Sequence, residues 1–241
     1  GSRLQPLTLS APKCLTEVGG EPILGRLIDS LRSQGIARMV VITGYLDTCV
    51  RDYVNRNAVD MQVDYVFNPV FQTTNNIYSL WLARQTVIEP FMLVECDLVF
   101  EPSMLKGLLT PDTIAISRIL PWMNGTKVEL DGAKNVSAFR MGTEATGDSD
   151  DSRYKTVNIC SLSSQSWLKI GQRLDRFVCD KRVGEYYEAV FSDLVEEGAL
   201  ELSAVFFDAS RWYEIDTALD LQEAELMFPC QANIPAAYAG I

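Results

Sequence analysis

Two acids and two cations far apart in the chain carry most of the chemistry this sequence offers. Asp97 stands within the apolar segment VECDLVF, toward the end of an expected strand, where an ionised carboxylate without a partner is costly. A divalent cation would compensate it, and so would a salt bridge or a solvent-exposed strand end. Asp216 in RWYEIDTALD repeats the arrangement, with Glu214 two residues earlier on the same strand-like face. Asp216 also reads as the N-cap of the helix that follows, a position that still faces the ligand end of a wound sheet. At the other end, GSRLQPLT places Gly1, Ser2 and Arg3 where backbone N–H groups and a guanidinium can cradle phosphates, with Lys13 closing from behind Pro12. The alternative for this pair is a solvated surface Arg and Lys. Histidine is absent from all 241 residues, which excludes imidazole bases and histidine metal ligands. Carboxylates, lysine, arginine and a metal remain.

These groups need a frame, and composition bounds it. A chain of 241 residues with 47% hydrophobic content can bury a full core as one α/β domain. Its 21 Lys+Arg against 32 Asp+Glu give a net charge of -11, which disfavours non-specific binding to nucleic acid or an anionic membrane. The six cysteines are scattered without a CxxC pair, the usage expected of reduced thiols in a cytoplasm. No apolar stretch approaches the roughly 20 residues of a membrane span, and no targeting signal opens the chain.

The pattern then alternates. ILGRLIDSLRSQG (23–35) predicts an amphipathic helix stopped by Gly35, and RMVVITGY a buried parallel strand ending on a Gly turn. TCVRDYVNRN reads as a helix, VDYVFNP as a strand, NIYSLWLARQTV as a helix and PFMLVECDLVF as one fully buried strand whose end carries the acids. TIAISR, KVELDG, VSAFRM and TVNICSLS predict a partly antiparallel extension, with GTEATGDSDDSRY as an exposed acidic loop. YYEAVFSDLVEEG (helix), LELSAVFFD (strand) and TALDLQEAELMF (helix) complete residues 1–228, and 229–241 read as a tail or linker. The expected fold is α/β: a wound, mostly parallel mixed sheet flanked by helices, Rossmann-like, with a small antiparallel extension and ligands beyond the strands' carboxyl ends. A domain of this kind normally starts on a buried strand, so an upstream strand is expected to be missing ahead of Gly1.

GSRLQPLT, APKCLTEVGGEPIL, MVVITGY, TTNNIYSL, LVECDLVFEP, YKTVNICSLS and WYEIDTALDLQEAE, in that order, resemble the motifs of the nucleotidyltransferase family. The similarity runs from Gly1 to about Phe228 and is strongest to the cytidylyltransferases acting on phosphocholine, 2-aminoethylphosphonate and 2-hydroxyethylphosphonate. The resemblance implies transfer of CMP from CTP to a small phosphonate or phosphocholine with release of pyrophosphate. Arg3 and Lys13 would neutralise the triphosphate, while Asp97 and Asp216 would hold Mg²⁺ between CTP and the acceptor. It places the nucleotide against Gly1, Ser2, the Gly44-Tyr45 turn, Asn75, Asn76 and Ser79, although TTNN is also an ordinary capping sequence. For the acceptor, Trp122, Tyr186, Tyr187 and Trp212 are candidate walls, with Glu188 as a nearby anion and Lys155 and Asn158 as phosphoryl contacts. Aromatic faces attract ammonium groups, and aromatics at such positions also serve as core. A sugar-1-phosphate nucleotidylyltransferase or a non-catalytic nucleotide-sensing domain are the rival readings. The patternless residues after Phe228 fit one domain of a longer bifunctional protein.

Overall fold

The computed structural model describes residues 2–142 and 152–230. Gly1, most of the acidic loop and residues 231–241 of the expected tail lie outside the described residues. Chain order is β1 (Glu17–Val18), β2 (Glu21–Pro22), α1 (Ile23–Ser33), β3 (Arg38–Thr43), α2 (Asp47–Asn57), β4 (Gln62–Phe67), α3 (Asn76–Ala83), β5 (Phe91–Val94) and β6 (Leu98–Phe100). It continues with β7 (Thr113–Arg118), β8 (Lys127–Leu130), β9 (Val136–Arg140), β10 (Arg153–Leu162), α4 (Ser164–Cys179), α5 (Glu188–Glu196), β11 (Ser203–Phe207), β12 (Trp212–Glu214) and α6 (Ala218–Met227). The architecture is the expected α/β one, a mixed sheet flanked by helices, but among the described residues the pairing is mostly antiparallel rather than mostly parallel: only β3 with β4 and β7 with β11 run in parallel.

Local physics explains the helices. α1 buries Leu24, Leu27, Ile28 and Leu31 along one stripe, and Gly35 ends it at φ +77°. α4, which the sequence reading left unassigned, starts on a Ser163 side chain that accepts from the Ser166 N–H, and buries Trp167, Ile170, Leu174 and Phe177. These buried residues recur at three- and four-residue intervals along α4. α6 is capped by Thr217 rather than Asp216: the Thr217 hydroxyl and the Asp220 carboxylate close a reciprocal capping box. Asp216 is thereby left for other work.

The sheet departs from the expected strands in two places that matter. PFMLVECDLVF is not one fully buried strand; β5 and β6 are separate, the acids sit in the break between them, and β5 is only half-buried. β10 is the spine rather than part of an extension. It runs antiparallel to β7 on one edge, and to β5 and β8 on the other, while β11 adds to β7 in parallel. Its pairing with β7 shifts register between Thr156 and Cys160, and Asn158 inside that irregularity has φ +58°. A bulge bends the strand and re-aims a side chain.

β3 pairs with β4 in parallel, residue by residue from Arg38↔Gln62 to Thr43↔Phe67. Among the described residues β3 pairs only with β4, and β5 only with β10. Between them lies an apolar slot of about 590 Å³, lined by Leu27, Met39, Val41, Leu80, Met92 and Val94 among others. The slot explains why β3 and β5 are half-buried where the sequence predicts full burial.

Candidate active site

The site is assembled where β6 meets β12. Their antiparallel register sets Glu214 opposite Leu98, and the Ile215 N–H donates to the Asp97 carbonyl at 2.9 Å. That ladder carries Asp216 alongside Asp97, although 119 residues of chain separate them. Lys13 fills the space between: its Nζ lies 2.8 Å from Asp97 Oδ2 and 2.8 Å from Asp216 Oδ1. Arg3 reaches the same Asp216 oxygen at 2.8 Å from an exposed position. Asp97 and Asp216, the paired acids expected from sequence, therefore do come together, and so do Arg3 and Lys13.

Electrostatics follows from this crowding. Burial pulls the Lys13 ammonium down, but Asp97 and Asp216 outweigh it and hold its pKa above the ordinary lysine value. Burial pushes Asp216 up, yet the hydrogen bond and charge of Lys13, with Arg3, leave its carboxyl below the usual range. Both groups stay ionised throughout the neutral range.

Behind this charged centre sits a second layer of acids. Carboxylate oxygens of Glu95, Asp97 and Glu214 lie within 4.8 Å of one another, close enough to share one metal ion. Asp97 Oδ1 is buried without a hydrogen-bond partner, and an orphaned hard oxygen beside two more carboxylates suits Mg²⁺. Sequence reasoning missed Glu95, which the VECD segment showed two residues before Asp97, and noted Glu214 without assigning it. Burial, reinforced by Asp97, Glu188 and Glu214, pushes the Glu95 carboxyl well above the usual range. Lys155 is buried and donates to Glu214 Oε2 at 3.1 Å and to the Thr156 carbonyl at 2.7 Å. Asn158, aimed by its bulge, donates to Glu95 at 3.4 Å and Glu214 at 3.3 Å.

Glu188 opens α5 in the same buried layer. Its Oε1 accepts from the Thr126 hydroxyl at 3.3 Å, whereas its Oε2 is buried with no partner. Burial pushes its carboxyl up. Tyr187 is buried, packs on Phe191 and turns its hydroxyl toward Glu95.

The remaining expected residues are less uniform. Trp212 is core, 1% exposed inside the cluster around α1, and does not wall a pocket. Trp122 stacks on Tyr213 at 4.4 Å between ring centroids, and Tyr186 is exposed. No aromatic box is formed by these rings. Asn75 is the cap of α3, and its Nδ2 donates to the Gly184 carbonyl. Asn76 donates to Glu95 Oε1 at 3.0 Å and accepts from the Tyr187 N–H at 3.0 Å. Both asparagine amides thus serve the protein itself, and Ser79 accepts from Asn68. Gly44 is a packing requirement, since a Cβ there would come 2.8 Å from Phe71. The Tyr45 hydroxyl donates to the Thr8 and Leu9 carbonyls at 3.2 and 2.9 Å, tying the turn after β3 to the N-terminal loop. Ser2 begins a short 3₁₀ turn that leads into this loop.

Residues 1–117 match the MobA-like NTP transferase domain family. The chain is 30% identical over 236 residues to the CMP-5'-(3-aminopropyl)phosphonate synthase of Streptomyces rubellomurinus, which uses 95% of this chain and spans 37% of that protein's length. It is 30% identical over 244 residues to the CTP:phosphoglutamine cytidylyltransferase of Campylobacter jejuni, covering 92% of this chain and 94% of that one. The solved CTP:phosphocholine cytidylyltransferase of Streptococcus pneumoniae superimposes with a TM-score of 0.81 at 22% identity, over 94% of both chains, a likeness of fold. No described helix is long and apolar enough to cross a membrane. With an ordered set of cationic and acidic groups meeting at one end of a mixed sheet, and near full-length similarity to a relative of its own size, the chain belongs to the nucleotidyltransferase family, on its cytidylyltransferase branch.

Proposed function

We propose that this protein transfers CMP from CTP to a small phosphonate bearing a primary amine, with Mg²⁺ as cofactor. The observation that carries the reading is the Lys13 ammonium held 2.8 Å from both Asp97 and Asp216, with the orphaned Asp97 Oδ1 beside Glu95 and Glu214. Two polyanions must meet for this reaction, so cationic side chains and a metal-binding set have to share the site. Arg3 and Lys13 supply the cations. They neutralise the triphosphate and the charge that develops as a phosphonate oxygen attacks the α-phosphorus, the new O–P bond forms and pyrophosphate leaves. Asp97 is the first residue we assign to the metal, with Asp216 and the neighbouring Glu95 and Glu214 completing the choice of ligands. A bound Mg²⁺ supplies charge neutralisation and alignment of the phosphoryl oxygens. The attacking oxygen is already ionised near neutral pH, so the site needs no imidazole base. We place the nucleotide against the turn that carries Arg3 and the Tyr45-anchored loop.

The acceptor's amine belongs, in this reading, beside Glu188. Its unpartnered Oε2 is a buried hydrogen-bond acceptor, and a primary ammonium donates three hydrogen bonds whereas a quaternary one donates none. The dispersal of Trp122, Tyr186 and Trp212 supports the same choice over phosphocholine, because aromatic faces are the usual partner of a quaternary cation. Lys155, only 2% exposed, and Asn158 would orient the acid layer around the acceptor.

Residues 1–228 would form the catalytic domain, with 229–241 leading onward; a chain spanning 37% of its Streptomyces relative fits one part of a larger protein. The slot between β3 and β5 supports a further strand ahead of Gly1, since an apolar gap flanked by two unpaired strand edges leaves backbone donors and acceptors without partners. The test is pyrophosphate release from CTP and Mg²⁺ with an aminoalkylphosphonate, phosphocholine, hydroxyethylphosphonate or a hexose 1-phosphate. The aminoalkylphosphonate should turn over at least tenfold faster in kcat/KM. Preferential use of the hexose phosphate would replace this reading with that of a sugar nucleotidylyltransferase.

A further inference from the structure

Asn76 opens α3, yet its side chain does nothing for that helix. The Asn76 N–H is already capped by Asn75 Oδ1 at 2.8 Å. Both polar atoms of the Asn76 amide are spent on distant segments instead. Nδ2 donates to Glu95 Oε1 at 3.0 Å, 19 residues away, and Oδ1 accepts from the Tyr187 N–H at 3.0 Å, 111 residues away. Glu95 stands in the break between β5 and β6, with the candidate metal ligands Asp97 and Glu214. Tyr187 is covalently next to Glu188, which opens α5 and carries the orphaned Oε2. One half-buried amide therefore bridges the acid layer and the start of the helix that presents Glu188. Asn75 fastens the same junction from beside it: its N–H donates to the Val183 carbonyl at 2.8 Å and its Nδ2 to the Gly184 carbonyl at 3.4 Å.

We infer that Asn76 is a positioning residue that fixes the separation between the metal-binding acids and Glu188, and thereby selects the acceptor by the number of carbons between its phosphonate and its amine. The claim about selection rests on the functional reading above, which puts the acceptor's phosphonate at the metal and its ammonium at Glu188, while the claim about the bridge does not. An amide suits the task, because it donates to a carboxylate from one end and accepts a backbone N–H at the other. Its 3.0 Å contact is the tighter of the two asparagine contacts on Glu95, since Asn158 reaches the other oxygen at 3.4 Å.

The consequence is geometric. Each methylene added to the acceptor inserts a carbon–carbon bond of about 1.5 Å, whereas a preorganised site tolerates displacements of only about 0.5 Å. With both ends of the acceptor held, one carbon too many or too few breaks a contact, and a single methylene is worth roughly 10- to 200-fold in kcat/KM. Without the bridge, the start of α5 and the acid layer shift against each other, and the site accommodates either length.

The test compares kcat/KM for 2-aminoethylphosphonate and 3-aminopropylphosphonate in wild type, Asn76→Ala and Asn76→Asp. Exchange of the Tyr187 amide and Mn²⁺ affinity are measured on the same proteins without nucleotide. Wild type should prefer one length at least tenfold. Asn76→Ala should narrow that ratio to threefold or less, speed exchange of the Tyr187 amide at least tenfold and weaken Mn²⁺ at least threefold. Asn76→Asp, nearly the same shape, keeps an oxygen for the Tyr187 N–H but brings no donor to Glu95, so it should keep the slow exchange and still lose the discrimination. General loss of folded protein lowers both kcat/KM values alike and leaves their ratio where it was. A wild type that uses both lengths within threefold, or an Asn76→Ala protein that keeps the wild-type ratio, the slow Tyr187 exchange or the wild-type Mn²⁺ affinity, overturns the proposal, as does an Asn76→Asp protein that discriminates like wild type. An Asn76→Ala protein with a fast Tyr187 amide and weak Mn²⁺, set against a wild type that consumes CTP with neither phosphonate, would leave the bridge standing and sink the functional reading instead.

Discussion

Replacing Lys13 by methionine keeps most of the apolar stem of the side chain and deletes its charge. In the structure that charge is shared by two carboxylates at 2.8 Å each. At an effective dielectric of about 20, each contact is worth roughly 6 kcal/mol of gross Coulomb attraction. Desolvation and screening remove most of this, since the Lys13, Asp97 and Asp216 side chains remain 17%, 19% and 26% exposed. Two charge-assisted hydrogen bonds, discounted for that exposure, leave about 2–3 kcal/mol, and the two acids then repel one another. For a chain of this size the melting temperature should fall by about 4–12 °C. The deficit should be flat across the neutral range. The raised Lys13 pKa contributes fully below the ordinary 10.5 and is lost only above it, and the lowered Asp216 pKa contributes above 3.8 and is lost only as pH falls below it. Turnover should drop at least 100-fold, the scale of removing one preorganised electrostatic contact to a transition state. Millimolar Mg²⁺ should restore part of the stability, because a cation again sits between the acids, but not the turnover. A Lys13→Met protein that melts within 1 °C of wild type, or keeps a third of its turnover, refutes the assignment of Lys13 to this centre.

Glu188→Gln should raise KM for an aminoalkylphosphonate roughly 10- to 150-fold, the worth of one charged hydrogen bond, and leave phosphocholine unchanged; equal effects on both would remove the ammonium contact. Because burial raises the Glu188 pKa above the usual 4.5, ionisation costs the folded state stability as pH rises from that value. Glu188→Gln should therefore be more stable than wild type at pH 8 and equal to it below 4.5, as read by urea titration. Thr217→Ala removes half of the α6 capping box and should cost about 1 kcal/mol, or roughly 2–4 °C in a calorimetric scan; an unchanged melting point would mean that the end of α6 is not held by its cap. In hydrogen exchange, the amides of β3 and β5 that face the slot should exchange faster in residues 1–241 than in a polypeptide extended upstream. Identical rates would mean that no strand enters there.

Period and spacing made most of this fold legible. The α1 stripe, the apolar β3 and the acid-ended VECD segment are each a few residues of local pattern, and each lies close to where it was expected. What local pattern could not give was partnership. The splitting of PFMLVECDLVF into β5 and β6 depends on β10 pairing with the first part and β12 with the second, contacts between segments more than 60 residues apart. The same holds for Trp212, whose composition suits a binding wall as well as a core and whose burial is decided by α1 and its neighbours. Asp97 and Asp216 were recognisable because a carboxylate beside an apolar run demands a partner, but Glu95 was hidden by sitting two places from a better candidate. Glu188 could be named as an anion; its orphaned oxygen could not. The asparagines of TTNN were readable as caps or as base contacts, and tertiary contacts to Glu95 and Tyr187 engaged them within the protein.

The account stands on one charged centre, and Mn²⁺ binding tests it most directly. Electron paramagnetic resonance of the protein with a non-hydrolysable CTP analogue should show one tightly bound Mn²⁺ per chain, weakened at least tenfold by Asp97→Asn. Undiminished Mn²⁺ binding in Asp97→Asn, or none in the wild type, would contradict the account.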